Sequence, residues 1–411
     1  MQPLIEIDLT GIAFGGEAIG RTAEGRPVFV PFGIPGERVR VELVEEKTTY
    51  ARGRIAEILS PSPKRIQPRC QHFGICGGCH LQHLAYADQL EIKQRILTDQ
   101  MRRIGKFVDL PVETIVPSPR EWNYRNTVQF HLTANGKMGY QKMGTNQVVE
   151  IHECALPLEG IGGVWQDLEI DPSAGIKRLS LREGNDGDLL LTLEGQEDVP
   201  PEFAVDFPLS AVYKSAAGEV ALSGDPYTLM QVKDREFRVS ASSFFQVNLP
   251  QAEKMVDLVL DSLALQPEDT ILDAYCGAGL FSAFIAPQVK KVIGVEQSES
   301  ACEDYTQNLD AQENVELYVG MAEEILPHLA ASPTSIVADP PRAGLAKVAL
   351  EAMVRMQPKR IVYVSCDPSM LARDARRLVE HGYELIRITP LDLFPQTYHI
   401  EAVCLFTKIA Q

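Results

Sequence analysis

The chain has 411 residues, 45% hydrophobic and 23% charged, values of a folded globular protein that exclude a fibrous or wholly disordered chain. Its formal net charge of −17, from 39 Lys and Arg against 56 Asp and Glu, argues against a general nucleic-acid binder, yet leaves room for an enzyme that meets RNA through one local basic surface. At about 150 residues per domain, two or three domains are expected.

No stretch comes near the roughly 18 uninterrupted apolar residues of a membrane helix, and the opening residues lack the basic start of a signal peptide. A cytoplasmic protein without a membrane partner is therefore expected.

Residues 1–60 carry short alternating runs, such as Arg38-Val39-Arg40-Val41-Glu42-Leu43, separated by Gly and Pro turns. This period of two predicts a small five-stranded OB-like barrel. A proline-rich link, 61–68, leads into a central α+β domain over 61–240. There, Cys70, Cys76 and Cys79 fall within ten residues, and Cys154 follows 75 positions later. In a reducing compartment such bunching points to metal binding. The spacing alone admits a four-thiolate zinc site or an iron–sulfur cluster. His72, His80 and His83 lie close by and are expected at the surface or behind the ligands. Residues 84–106 have helical spacing and the densest basic run (Lys93, Arg95, Arg102, Arg103, Lys106), either a set of phosphate contacts or a solvated helix face. Strands return over about 120–240.

From 241 to 411 strands alternate with helices, which predicts a parallel, doubly wound Rossmann-like sheet. Such sheets bind ligands at the carboxyl ends of their strands. The segment Asp273-Ala274-Tyr275-Cys276-Gly277-Ala278-Gly279 is a strand-to-helix turn whose glycines let the backbone approach a ligand. The next strand ends at Glu296, twenty-three positions after Asp273, a place suited to accept hydrogen bonds from ribose hydroxyls. A third strand runs into Asp339-Pro340-Pro341-Arg342, a fixed turn that cannot continue a central strand. A fourth ends at Ser365-Cys366-Asp367-Pro368, which directs Cys366 into the same crevice. Cys276, Cys302 and Cys404 lack such an address and read as packing residues. Glu401 opens the last predicted strand.

Together, Phe244-Phe245-Gln246-Val247-Asn248, Asp273 to Gly279, Asp339 to Leu345, Ser365 to Pro368 and His399-Ile400-Glu401 resemble the RNA uracil-C5 methyltransferase family, within the class I S-adenosyl-L-methionine-dependent methyltransferases. The resemblance spans nearly the whole chain. It implies a TRAM module for the barrel and Gln246, Tyr275, Glu296 and Asp339 as contacts of S-adenosyl-L-methionine or the target base. It further implies Cys366 as nucleophile and Glu401 as general base. The Cys-Gly-Gly-Cys run matches members that hold a [4Fe-4S] cluster, which implies Cys70, Cys76, Cys79 and Cys154 as its ligands. The same resemblance places the helix near 85–117 against the catalytic domain. The implied substrate is structured RNA, 23S ribosomal RNA first and the T-loop uridine of transfer RNA second, and a monomer is expected. The rivals are an N-methyltransferase, which would have no need of Cys366, and a non-catalytic RNA-binding iron–sulfur protein.

Overall fold

A computed structural model describes residues 4–409 apart from 203 and 206. The first five strands, β1 (Leu4–Ile12), β2 (Ala18–Arg21), β3 (Pro27–Val30), β4 (Arg38–Glu46) and β5 (Ala51–Ser60), close a barrel in the order β1-β2-β3-β5-β4. Alternation sends Ile7, Leu9, Val39 and Val41 inward, where they are buried. Closure leaves no edge to pair with another chain.

Helix α1 (Tyr86–Arg103) follows the cysteine loop. The central domain holds β6 (Thr127–Leu132), β7 (Met138–Gln141), β8 (Val148–Glu150), α2 (Glu159–Val164), β9 (Ile176–Glu183), β10 (Leu189–Gly195), β11 (Ser210–Ser215) and β12 (Gly218–Ser223). These seven strands form one sheet ordered β12-β11-β10-β9-β6-β7-β8. A hairpin of β13 (Tyr227–Val232) and β14 (Arg235–Ser240) comes next, and its Met230, Val232, Phe237 and Val239 are buried in the core of the last sheet.

That sheet is built from α3 (Leu249–Leu263), β15 (Thr270–Ala274), α4 (Leu280–Ile285), β16 (Lys291–Glu296), α5 (Glu299–Asn308), β17 (Val315–Val319), α6 (Ala322–Ile325), β18 (Ser335–Ala338), α7 (Lys347–Arg355), β19 (Arg360–Ser365), α8 (Pro368–Glu380), β20 (Tyr383–Leu391) and β21 (Glu401–Lys408). Its order is β17-β16-β15-β18-β19-β21-β20. The five strands from β17 to β19 pair in parallel, while β21 runs antiparallel between β19 and β20. Period-two alternation splits each strand between two cores. Ile271, Val337 and Val362 face the side covered by α3 and the hairpin. Leu272, Ile336 and Tyr363 face the side covered by α7 and α8.

Helix α1 also packs on this second side, with Leu97 and Met101 fully buried in its core. The helix is shorter than the 85–117 that the resemblance implies. It stops at Arg103, Lys106 takes a positive φ of 60°, and residues around Val112 and Val116 lie extended beside β20, bridged to Ile388 and Leu391. Pro111 and Pro117 lack the N–H that a continuing helix would need.

Among the described residues no helix is long and apolar enough to cross a membrane.

Candidate active site

The carboxyl edge of the last sheet gathers the residues singled out in its sequence. At the tip of β15 the turn from Tyr275 to Gly279 has positive φ at Tyr275 (64°), Gly277 (54°) and Gly279 (91°). At Gly279 a Cβ would lie 2.5 Å from Leu309 Cδ1, so no larger residue fits between the turn and α5. Behind the turn Asp273 is fully buried and accepts hydrogen bonds from Ser282 N (3.1 Å) and Oγ (2.6 Å). Burial raises its carboxyl to about 7 against those bonds.

Glu296, at the end of β16, accepts from the amides of Gly277 (3.0 Å), Gln297 (2.8 Å) and Ser298 (2.8 Å). It thus ties the glycine turn to the next strand, and a carboxylate has lone pairs left for a further donor. Tyr275 donates to Glu323 (3.2 Å).

Gln246 is buried, with its backbone carbonyl accepting from Asn126 Nδ2 (3.0 Å). Its segment crosses the carboxyl edge of the sheet: Ser243 Oγ lies 2.8 Å from Ser300 Oγ beyond β16, and Asn248 Nδ2 donates to Leu393 O (3.1 Å) before β21. Beside it Phe244 is 71% exposed.

Cys366 and Glu401 come together through strand register. Ser365 of β19 pairs with Ala402 of β21, so the next step along β19 sets Cys366 opposite Glu401. Asp339, held by its amide to Ala274 O (3.3 Å), completes the group at the tip of β18. Cys366 is half-buried, and burial followed by the charges of Glu401 and Asp339 pushes its thiol up to about 12, with Arg342 acting the other way. Burial, then the charge of Asp273, raises Asp339 to about 7, and burial, then the charge of Asp339, raises Glu401. Such a site can lose and regain a proton near neutral pH.

Arg342 stands in the Asp-Pro-Pro-Arg run, but its place beside the thiol and Glu401 is visible only in three dimensions. His399 and His80 form an aromatic cluster with Tyr398 (centroids 4.4 and 4.5 Å), the first ring tilted and the second edge-on, and burial lowers them to about 3 and 4, leaving both neutral.

Cys70, Cys76, Cys79 and Cys154 line one cavity of about 250 Å³. Backbone N–H groups turn toward sulfur there, from His72 to Cys70 (3.4 Å) and from Gly78 to Cys76 (3.3 Å). Burial pushes the Cys76 thiol up to about 11 and that of Cys79 to about 12, so thiolates there call for a cation. Among the described residues no three His, Cys, Asp or Glu side chains are close enough to hold a single metal ion. His83, expected at the surface or behind the ligands, is a core residue with 1% exposure and rings of Phe32 and Phe73 around it. Cys276, Cys302 and Cys404 are buried, as packing residues should be.

Of the basic run on α1, Lys93 is fully buried in an ion pair with Asp392 (2.6 Å), which removes it from any phosphate surface. Other cations stand elsewhere, with Arg52 near Glu17 (3.4 Å) and Glu45 (3.9 Å) and Arg54 paired with Glu42. A cleft of about 1170 Å³ between barrel and central domain is lined by Arg52, Arg54 and Lys142, with Tyr398 also in its wall.

The sequence profile of the tRNA (Uracil-5-)-methyltransferase family matches residues 205–331 and 331–409, and that of the TRAM domain matches 4–56. The chain is 33% identical to an uncharacterized RNA methyltransferase of Chlorobaculum tepidum, over 98% of this chain and 96% of the relative. A second, from Synechocystis sp., is also 33% identical, over 99% and 96%. The chain belongs to the RNA uracil-5-methyltransferase family. Among solved structures, the tRNA (uracil-54, C5)-methyltransferase of Pyrococcus abyssi, in complex with S-adenosyl-L-homocysteine, is similar over 98% of this chain and 100% of its own, with TM-score 0.75 and 25% identity. The amino-terminal barrel is thus a TRAM domain, and the carboxyl-terminal sheet has a methyltransferase fold.

Proposed function

We propose that this protein methylates C5 of a uridine in structured RNA, acting as a cytoplasmic monomer. The observation that carries this reading is the meeting of Cys366, Glu401 and Asp339 at adjoining strand ends. C5 of uracil is too weak a nucleophile to accept a methyl group unaided. Addition of the Cys366 sulfur to C6 makes C5 enolate-like and able to accept the methyl group. Glu401 then takes the C5 proton, the C6–S bond breaks, and the thiolate is released. Its raised pKa makes Glu401 a stronger base than an ordinary carboxylate, once ionised. A base in folded RNA must first be extruded, at a cost of a few kcal/mol.

S-adenosyl-L-methionine, when bound, supplies an activated methyl group on a sulfonium. Glu296 would hold the ribose, and Tyr275, Gln246 and Asp339 would contact the cofactor or the target base. At Gly277, φ is 54° and a Cβ would point into open space, so its lack of a side chain leaves the backbone open to a close ligand. RNA would enter by the cleft bearing Arg52, Arg54 and Lys142. Resemblance to the ribosomal enzymes with four cysteines supports 23S ribosomal RNA. Likeness to the Pyrococcus abyssi enzyme favours the transfer-RNA uridine as second reading.

Total RNA from a strain lacking the protein, digested and mapped by mass spectrometry, is expected to have lost 5-methyluridine at one or more positions, restored by the wild-type chain. An unchanged set of 5-methyluridines would overturn the proposal, and the position lost decides between ribosomal and transfer RNA.

The four cysteines would hold a [4Fe-4S] cluster. The four thiols line one cavity, with the N–H groups of His72 and Gly78 turned toward the sulfurs of Cys70 and Cys76. A cluster spreads its ligands around a cube and takes hydrogen bonds from backbone N–H groups at sulfur. Anaerobically purified protein is expected to be brown, with iron and sulfide each at about four per chain. A colourless protein with stoichiometric zinc would reverse the assignment.

A further inference from the structure

The nine residues between β20 and β21 form the approach to Glu401, yet most of what holds them lies outside the last sheet. Lys93 Nζ donates to Asp392 Oδ1 (2.6 Å) and to Phe394 O (3.0 Å). Gln89, one turn earlier on α1, makes a reciprocal pair with Gln396: its Oε1 accepts from Gln396 N (3.0 Å) and its Nε2 donates to Gln396 Oε1 (2.9 Å). The amides of His80 (2.8 Å) and Leu81 (3.0 Å) both donate to Gln396 O. Tyr124 Oη donates to Pro395 O (3.1 Å). Ile400, immediately before Glu401, sits in an apolar junction with Ile12 and Ile34 of the barrel and Ile92 and Ile96 of α1.

Gln396 itself has φ 70°, a left-handed conformation that a residue with a Cβ adopts at a cost of about 1–3 kcal/mol and keeps only when its surroundings over-determine it. Four hydrogen bonds to one residue, from Gln89, His80 and Leu81, are that over-determination. Lys93, Asp392 and Gln89 are all buried. A buried ion pair is a weak source of stability, because desolvation offsets the attraction, and its best-attested use is to fix one arrangement among several.

The geometry points to Lys93 and Gln89 of α1 as positioning residues that set the Glu401 carboxylate for its proton transfer, although they precede their partners by 299 and 307 residues. The inference rests on Glu401 as the base. Neither side chain touches the reacting atoms; each fixes the turn from which β21 starts. A displacement of about 1 Å at a reacting group can cost on the order of 100-fold. A badly placed base stalls the reaction after methyl transfer, with RNA still bonded to Cys366.

The test uses the full chain with total RNA from cells lacking the protein and methyl-labelled S-adenosyl-L-methionine. It measures the label trapped on denatured protein, the label released on RNA, and cofactor affinity. Lys93→Met strands the Asp392 charge in the core and can fail to fold, so Gln89→Met is the deciding variant and Glu401→Gln the reference. Gln89→Met, folded by circular dichroism and with wild-type cofactor affinity, is expected to release product about 10- to 100-fold more slowly. It should also trap several-fold more label than wild type. Wild-type release, or slow release without trapped label, overturns the positioning role when Glu401→Gln does trap label. If Glu401→Gln traps none either, the base assignment itself fails, and the inference with it.

Discussion

Cys366→Ala is expected to lower methyl transfer to RNA by a factor on the order of 10⁶, the scale of losing a covalent nucleophile. Cofactor affinity should change little. The sulfur sits at the tip of β19, while the glycine turn and Glu296 occupy the tips of β15 and β16, held by their own hydrogen bonds. Methyl incorporation measured beside calorimetric cofactor binding separates the two. Substantial turnover by the alanine protein would show that C6 of the uracil is not attacked by this thiol. The high pKa of the thiol in the free protein adds a requirement: its proton must leave as the bond to C6 forms. Asp339 lies beside it and can receive that proton when ionised, which leaves Glu401 free for the C5 proton.

Glu401→Gln is expected to behave differently. Sulfur addition and methyl transfer remain possible, but the C5 proton has no acceptor, so methylated RNA stays bonded to the protein. Product release should fall by about 10²–10⁴-fold, the usual contribution of a positioned base. A slow-migrating protein–RNA band should build up in denaturing gels and disappear when Cys366 is also replaced. A folded variant that releases methylated RNA at the wild-type rate, and leaves no such band, would assign the proton to another group.

The strands and their ends were legible because period-two patterning and turn residues are local signals. Val362 and Tyr363 alternate between two cores, Ser365 closes β19, and Glu401 opens β21 where its sequence places it. What sequence could not carry was pairing across distance. Lys93 stands among exposed basic neighbours and reads as a phosphate contact or part of a solvated face, since its partner Asp392 lies 299 residues away. His83 is a core residue because Phe32 of the barrel and Phe73 of the cysteine loop close over it, a contact between separate units. The extended strip near Val112 and Val116 joins the edge of β20 only because that edge exists. Arg342 was inside a recognised motif, yet its effect on the thiol depends on three strand tips converging.

The antiparallel β21 has a consequence for biosynthesis. It is the last strand of the chain, but it lies inside the sheet between β19 and β20, and it brings Glu401 with it. Until it emerges from the ribosome, β19 and β20 have a gap between them, and the turn that clasps α1 does not yet exist. The contacts of that turn with α1, about 300 residues apart in sequence, are of the kind that forms slowly. The barrel can close early from its own neighbouring strands, whereas Cys366 and Glu401 meet only once β21 has paired with β19.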